Sequence, residues 1–164
     1  MVVYPTDREF HRFVQPIRDI EVALLTSVDR EGHLHSRPVQ TLGIGRERTL
    51  WFFTDLRSEK AFELARDVRL ALGYADPRSR RYVALAGAGR LLRDSTKARE
   101  LWTIDQRAYY PGGLEDEHLV LLRVQVERAE YWRASGRGAH LLAALKARFT
   151  GTPVGIVGEN YRMP

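Results

Sequence analysis

"VALLTSVDREGHLHSRPVQTLGIGRERTLWFFT", residues 22–54, decides the fold. "VALLTSV" (22–28) reads as a buried strand, "DREG" (29–32) makes a hairpin turn, and "HLHSRPVQTL" (33–42) returns as a second strand. "RERT" leads into a third strand at 49–54. A doubly wound parallel sheet alternates strand with helix throughout. Strands in hairpin succession point instead to an antiparallel sheet.

Outward from this stretch, the elements fall into order. Thr6-Asp7-Arg8-Glu9 has the spacing of a capping box. Phe10, Phe13, Val14 and Ile17 follow at helical intervals, with Pro16 ending or kinking that helix. The spacing predicts a second helix over about 58–66, with Ala61, Leu64, Ala65 and Val68 on one face. Strands are expected at 69–75 and 81–94, the latter with glycines where a barrel corner bends. A helix capped by Asp94 or Ser95 is expected to run to about Tyr109. The last long strand is 118–132, an amphipathic helix spans 139–149, and "GENYRMP" reads as a polar tail. The class is α+β or mainly β: about six mostly antiparallel strands in a small Greek-key barrel with peripheral helices. With 164 residues, no repeats and no dividing linker, a single domain over 1–164 is expected.

Composition excludes some chemistry. Without cysteine there is no disulfide, thiolate metal site or thiol nucleophile, which fits a cytoplasmic protein. No apolar run approaches the roughly 20 residues of a membrane span, and the N-terminus lacks a signal peptide's apolar stretch. A net charge of +5 brings nucleic acid into consideration, but the arginines are scattered among acids and the densest patch, Arg78 to Arg81, is short. An anion-binding pocket explains the excess as well. His33 and His35 stand two apart, His11, His118 and His140 are isolated, and no H-E-x-x-H is present, so no metal site is expected. There is no G-x-S-x-G elbow, P-loop, G-x-G-x-x-G or catalytic carboxylate pair.

One cluster can carry chemistry. Strand alternation puts His35, Arg37 and Val39 on one face and Ser36, Pro38 and Gln40 on the other. Pro38 lacks a ladder donor and marks an edge or a break. If this strand pairs with 49–54, Arg37 approaches the turn holding Ser58 and Lys60. A guanidinium, an ammonium, a hydroxyl and helix N-terminal N–H groups together suit a phosphate monoester. The bland alternative is a capped helix with solvated charges. Phe52 points to one side of its strand and Trp51 and Phe53 to the other, and all three suit a core. Trp102 and Trp132 suit a core, a pocket wall or a subunit seam.

"LLTSVDREGHLHSRPV", "LWFFTDLRSEKAFEL", "VRLALGYADPRSRRYVALAGAGRLLRD", "LWTIDQRAYYPGGLEDEHLVLLRVQVERAEYW" and the terminal "GEN" together resemble the general stress protein 26 branch of the pyridoxamine 5′-phosphate oxidase-like superfamily. The resemblance runs from about residue 6 to residue 160. It implies a split β-barrel, a homodimer, and FMN at the subunit interface. It further implies that Arg37, Ser58 and Lys60 hold the FMN phosphate, and that Pro38, Val39, Phe53 and Thr54 lie along the flavin. Tyr82 falls where the oxidases have a flavin-contacting glutamine, and Trp132 where a tryptophan reaches across the dimer. Trp102 and Tyr110 are candidates for the partner wall. Three departures stand out. Glu59 replaces a common arginine, Leu42 replaces a substrate-binding lysine, and Arg137 and His140 have the wrong separation for the oxidases' Arg-x-His. An FMN-binding oxidoreductase working between a small-molecule donor and acceptor is therefore expected, rather than a pyridoxamine phosphate oxidase. The alternatives are a non-catalytic FMN carrier and a split barrel using haem or a deazaflavin. Nucleic acid and membrane partners are not expected.

Overall fold

The computed structural model describes residues 1–3, 8–134 and 158–163. The expected capping box lies partly outside them, and the expected helix at 139–149 wholly so. The elements are β1 (Val2–Val3), α1 (His11–Ile20), β2 (Val22–Val28), β3 (Leu34–Gln40), β4 (Gly43–Ile44), β5 (Thr49–Asp55), α2 (Glu59–Arg66), β6 (Arg69–Asp76), β7 (Arg81–Leu92), α3 (Ser95–Leu101), β8 (Leu119–Ala134) and β9 (Gly158–Met163). One curled sheet takes the order β1-β4-β5-β8-β7-β6-β2-β3, with β9 added beside the far end of β8. Every pairing but the short β1–β4 contact is antiparallel. This is the expected split barrel. Its nine strands exceed the expected six because β1, β4 and β9 were not anticipated.

The curl comes from a corner just past β3. Thr41 N–H donates to Glu21 O and the next amide, Leu42 N–H, to Trp51 O, so the chain passes from the β2 flank to the β5 flank within two residues. A bulge adds to it. Ala86 faces Arg128 but Gly87 faces Val126, leaving Glu127 unopposed on β8. A Cβ on Gly87 would collide with the Gln125 carbonyl, so this approach requires glycine.

Alternation sorts the side chains. Ala23, Leu25 and Ser27 of β2 are buried, while Val22 and Leu24 stay half exposed on the outer face. α1 lays Phe13, Val14 and Ile17 on the inner face against Leu25, Phe52, Leu72 and Leu122. It continues past Pro16 to Ile20 rather than ending there. A smaller cluster of Leu42, Phe53, Leu101 and Leu121 lies under α3. As expected, Phe52 belongs to the first cluster, and Trp51 and Phe53 to the second.

Some boundaries differ from the sequence reading. α3 stops at Leu101, Trp102 turns extended, and only a 3-10 turn over Ile104–Ala108 follows. "GENYRM" is no tail; it pairs with β8. Ala65 on α2 is exposed, as is Val68 beyond the helix end, and the third buried position beside Ala61 and Leu64 is Glu63.

Candidate functional site

Where β3, β5 and the start of α2 converge, a cleft of about 230 Å³ opens. Pro38, Val39 and Gln40 of β3 form one wall, with Val22 beside them; Phe53 and Lys60 form the floor and far side. Gln106, Tyr109 and Tyr110 close the top from the segment after α3. Five expected residues therefore meet here: Pro38, Val39, Phe53, Lys60 and Tyr110. β3 does not form a ladder with β5, as the sequence reading supposed. Its ladder partner is β2, and the corner at Thr41–Leu42 brings β3 and β5 together.

Phe53 supports the upper wall. The Trp102 ring meets it edge-on at 5.4 Å and the Tyr110 ring at 5.9 Å. Trp102 thus acts behind the cleft rather than in it, and α3 ends early so that it can. Burial, aided by the negative charge of Asp55, pushes the Tyr110 hydroxyl up to about 12, so it stays a neutral hydrogen-bonding group. Gln106 is buried and donates to the Gln40 side chain at 3.1 Å, fixing both amides at the rim.

Lys60 sits at the base, half-buried. Burial lowers its pKa, the nearby Arg37 charge lowers it further, and only Asp55 opposes them. It makes no hydrogen bond or ion pair with any described residue. Ser58 occupies the N-cap of α2 in extended backbone (φ −74°, ψ 148°) but does not cap it; its hydroxyl donates to Asp55 O at 2.6 Å and lies 3.2 Å from the Thr54 hydroxyl. The first N–H groups of α2 are left without a side-chain cap. Thr54 is wholly buried beneath this turn.

Arg37 does not line the cleft. Its guanidinium donates to Ser27 and, at 2.6 Å, to Glu63 Oε2, while His35 Nδ1 lies 2.9 Å from Glu63 Oε1. Burial alone would raise the Glu63 carboxyl; the hydrogen bonds from Ser27, His35 and Arg37 outweigh it and hold the carboxyl below its usual range. Tyr82 and Trp132 are also elsewhere. They are cross-strand partners on the outer face of β7 and β8, away from this cleft.

The sequence reading missed Gln40, Gln106, Tyr109 and Glu63. Alternation placed Gln40 beside Pro38, which was a usable signal. The other three carry none: a lone glutamine, one of two adjacent tyrosines, and an acid on a helix all read as surface.

A cleft with aromatic support, a desolvated cation and an uncapped helix start agrees with the sequence resemblance. The pattern of the family described as pyridoxamine 5′-phosphate oxidase like matches residues 8–154. The chain belongs to that family. Among solved structures, a putative general stress protein 26 from Jannaschia sp. CCS1 is 22% identical, covers 93% of this chain and 96% of its own, and superposes with a TM-score of 0.66. The general stress FMN/FAD binding protein from Xanthomonas citri is 23% identical over 78% of this chain and 90% of its own, with a TM-score of 0.66. A heme binding protein from Mycobacterium smegmatis is 20% identical over 79% of this chain and 55% of its own, with a TM-score of 0.58. At these identities the likeness is one of fold. No curated protein matches the chain. Among the described residues, no helix is long and apolar enough to cross a membrane, and no group of histidines and carboxylates is placed to hold a metal ion.

Proposed function

We propose that this cleft holds the FMN of an oxidoreductase-type flavoprotein, and that a second copy of the chain completes it. Lys60 carries the reading. A half-buried ammonium with no partner among the described residues, at an uncapped helix start, favours an anionic ligand. The residues present fit FMN. Lys60 and the first N–H groups of α2 would hold the phosphate; Ser58 joins them only by turning its hydroxyl away from Asp55. Pro38, Val39 and Phe53 offer an apolar bed to the ring system. Bound there, FMN would supply hydride or electron transfer between a small-molecule donor and acceptor.

The chain's own part is to bind, orient and exclude water. No acid or base is assigned, since Tyr110 stays neutral and the Glu63 carboxylate is fully hydrogen-bonded. Oxidation of pyridoxamine phosphate is not part of the proposal. Leu42, where the oxidases would offer a lysine, is buried under α3. Haem is disfavoured because His35 is engaged by Glu63 and does not line the cleft.

The second copy is argued from the outer face of the sheet. Val22 and Leu24 are each about half exposed there, and Tyr82 is 39% exposed. Ala71, Gly73, Ala75, Ala84 and Ala86 are exposed between them on β6 and β7. This smooth apolar surface runs directly into the cleft at Val22 and Pro38. Such a face suits a self-complementary partner, and it would bring the partner's Trp132 and Tyr82 region toward the flavin.

A visible absorption spectrum, taken as purified and after adding FMN and removing the excess, tests the reading. A flavin spectrum shifted from that of free FMN is expected; a colourless protein that refuses FMN overturns it. Turnover with NADH or NADPH and an acceptor then separates an oxidoreductase from a carrier. Sedimentation of Leu24→Glu should give a monomer that has lost its flavin, and a flavin-loaded monomer would remove the second copy from the site.

A further inference from the structure

Glu63 is the anion that Arg37 holds in this structure. The helical period puts Glu59 and Glu63 on one side of α2, facing β3, where alternation aims His35 and Arg37 back at them. Ser27 stands opposite His35 on the neighbouring strand. Three groups meet the Glu63 carboxylate: Ser27 Oγ at 2.5 Å, Arg37 Nη2 at 2.6 Å and His35 Nδ1 at 2.9 Å. Glu59, more distant, lies 3.8 Å from the same imidazole nitrogen.

The hydrogens make these contacts unequal. Arg37 Nη2 also lies 2.7 Å from His35 Nδ1. A guanidinium only donates, so Nδ1 accepts from Arg37 only when it carries no proton. The same nitrogen can bond to an ionised carboxylate only by donating. Both bonds cannot form together. With the proton on Nδ1, Glu63 keeps two donors, Ser27 and His35, after Arg37 turns away. The usual cost of stranding a buried carboxylate is thereby avoided. The cluster flanks the first turn of α2, since Glu59 opens that helix and His35 Nδ1, near Glu59, is the nitrogen that Arg37 Nη2 approaches; the Arg37 charge bears on Lys60 one residue further on.

We propose that Glu63 is a resident counter-ion that an anionic ligand displaces from Arg37, with Ser27 and His35 keeping the carboxylate satisfied. Glu63 thereby sets how strongly the site prefers a phosphorylated flavin to an unphosphorylated one. The inference rests on the FMN reading for the identity of the ligand, but not for the exchange itself.

The experiment is a fluorescence titration of wild type, Glu63→Gln and His35→Ala with FMN and with riboflavin. A thermal-shift series with inorganic pyrophosphate accompanies it. Glu63→Gln, which keeps the shape and removes the charge, should bind FMN about tenfold tighter, the worth of one charge-assisted bond returned to the ligand. His35→Ala removes the standby donor from a half-exposed position and should weaken FMN binding. Riboflavin affinity should stay constant in both. Equal changes for the two flavins, or weaker FMN binding in Glu63→Gln, overturn the proposal. If Glu63→Gln does not fold, His35→Ala decides by the same FMN-to-riboflavin ratio. If wild type binds neither flavin, the FMN reading fails alone. The exchange is then judged by whether pyrophosphate stabilises Glu63→Gln more than wild type; equal shifts, or none, overturn it.

Discussion

Lys60 and Arg37 are the two cations that the sequence assigns to one phosphate, and their surroundings are opposite. Lys60 borders an apolar cleft with no described partner, and burial alone already disfavours its charge. Arg37, with only 17% of its side chain exposed, is matched by a carboxylate that is itself 6% exposed. The difference separates the charge a site contains from the charge it can offer. A lone buried cation gains whenever an anion arrives, whereas a paired one gains only the difference between two partners.

The contrast can be broken most forcefully at Arg37. Arg37→Ala should cost about 1.5–3 kcal/mol in stability by urea denaturation, because the Glu63 carboxylate loses its cation and keeps only Ser27 and His35 as donors. Adding Glu63→Gln should recover most of that loss. A single mutant as stable as wild type would mean the pair carries no weight. Lys60→Ala should do the reverse, weakening FMN binding by about 1.5–3 kcal/mol in a titration while leaving the urea midpoint nearly unchanged.

A pH titration sharpens the same point. Burial lowers the Lys60 pKa, so the ammonium persists only below that lowered value. FMN affinity should fall as the pH rises through it, beginning below the ordinary lysine value of about 10.4. In Lys60→Arg the decline should disappear, because arginine stays charged. The smallest effect is expected at Arg57, paired to Asp55 at 2.6 Å but 63% exposed. Arg57→Ala should leave the urea midpoint almost unchanged. A larger loss would mean that surface pairs around the cleft matter as much as the buried one.

Much of this was legible in the sequence. The period of two separated Phe52 from Trp51 and Phe53, and the hairpin turns placed β2, β3 and β5, because a strand with one buried face has few registers open to it. Ser58 was legible as the residue before a helix, but not the diversion of its hydroxyl to Asp55 O. Glu63 was invisible, since an acid on an amphipathic helix normally marks the solvent side. Only the three-dimensional meeting with Ser27, His35 and Arg37 allows it inside. α3 was overextended because residues 95–109 are acceptable helix formers, yet packing Trp102 on Phe53 requires extended backbone at residue 102. β9 was missed because its backbone pairs with β8 whatever its side chains.

The long strand β8 has a consequence for motion. Between Leu121 and Gln125 it is flanked by β5 and β7, and from Ala129 to Arg133 by β7 and β9. Successive amides point alternately into the two flanking ladders, so none is left open to solvent as half of an edge strand's amides are, and they should be among the slowest of the described residues to exchange hydrogen for deuterium. β3 ends the sheet order, with β2 as its one ladder partner among the described residues. Arg37 and Pro38 therefore ride on an edge strand, with one ladder to hold it. Occupation of the cleft should appear first as slowed exchange along β3, while β8 hardly changes.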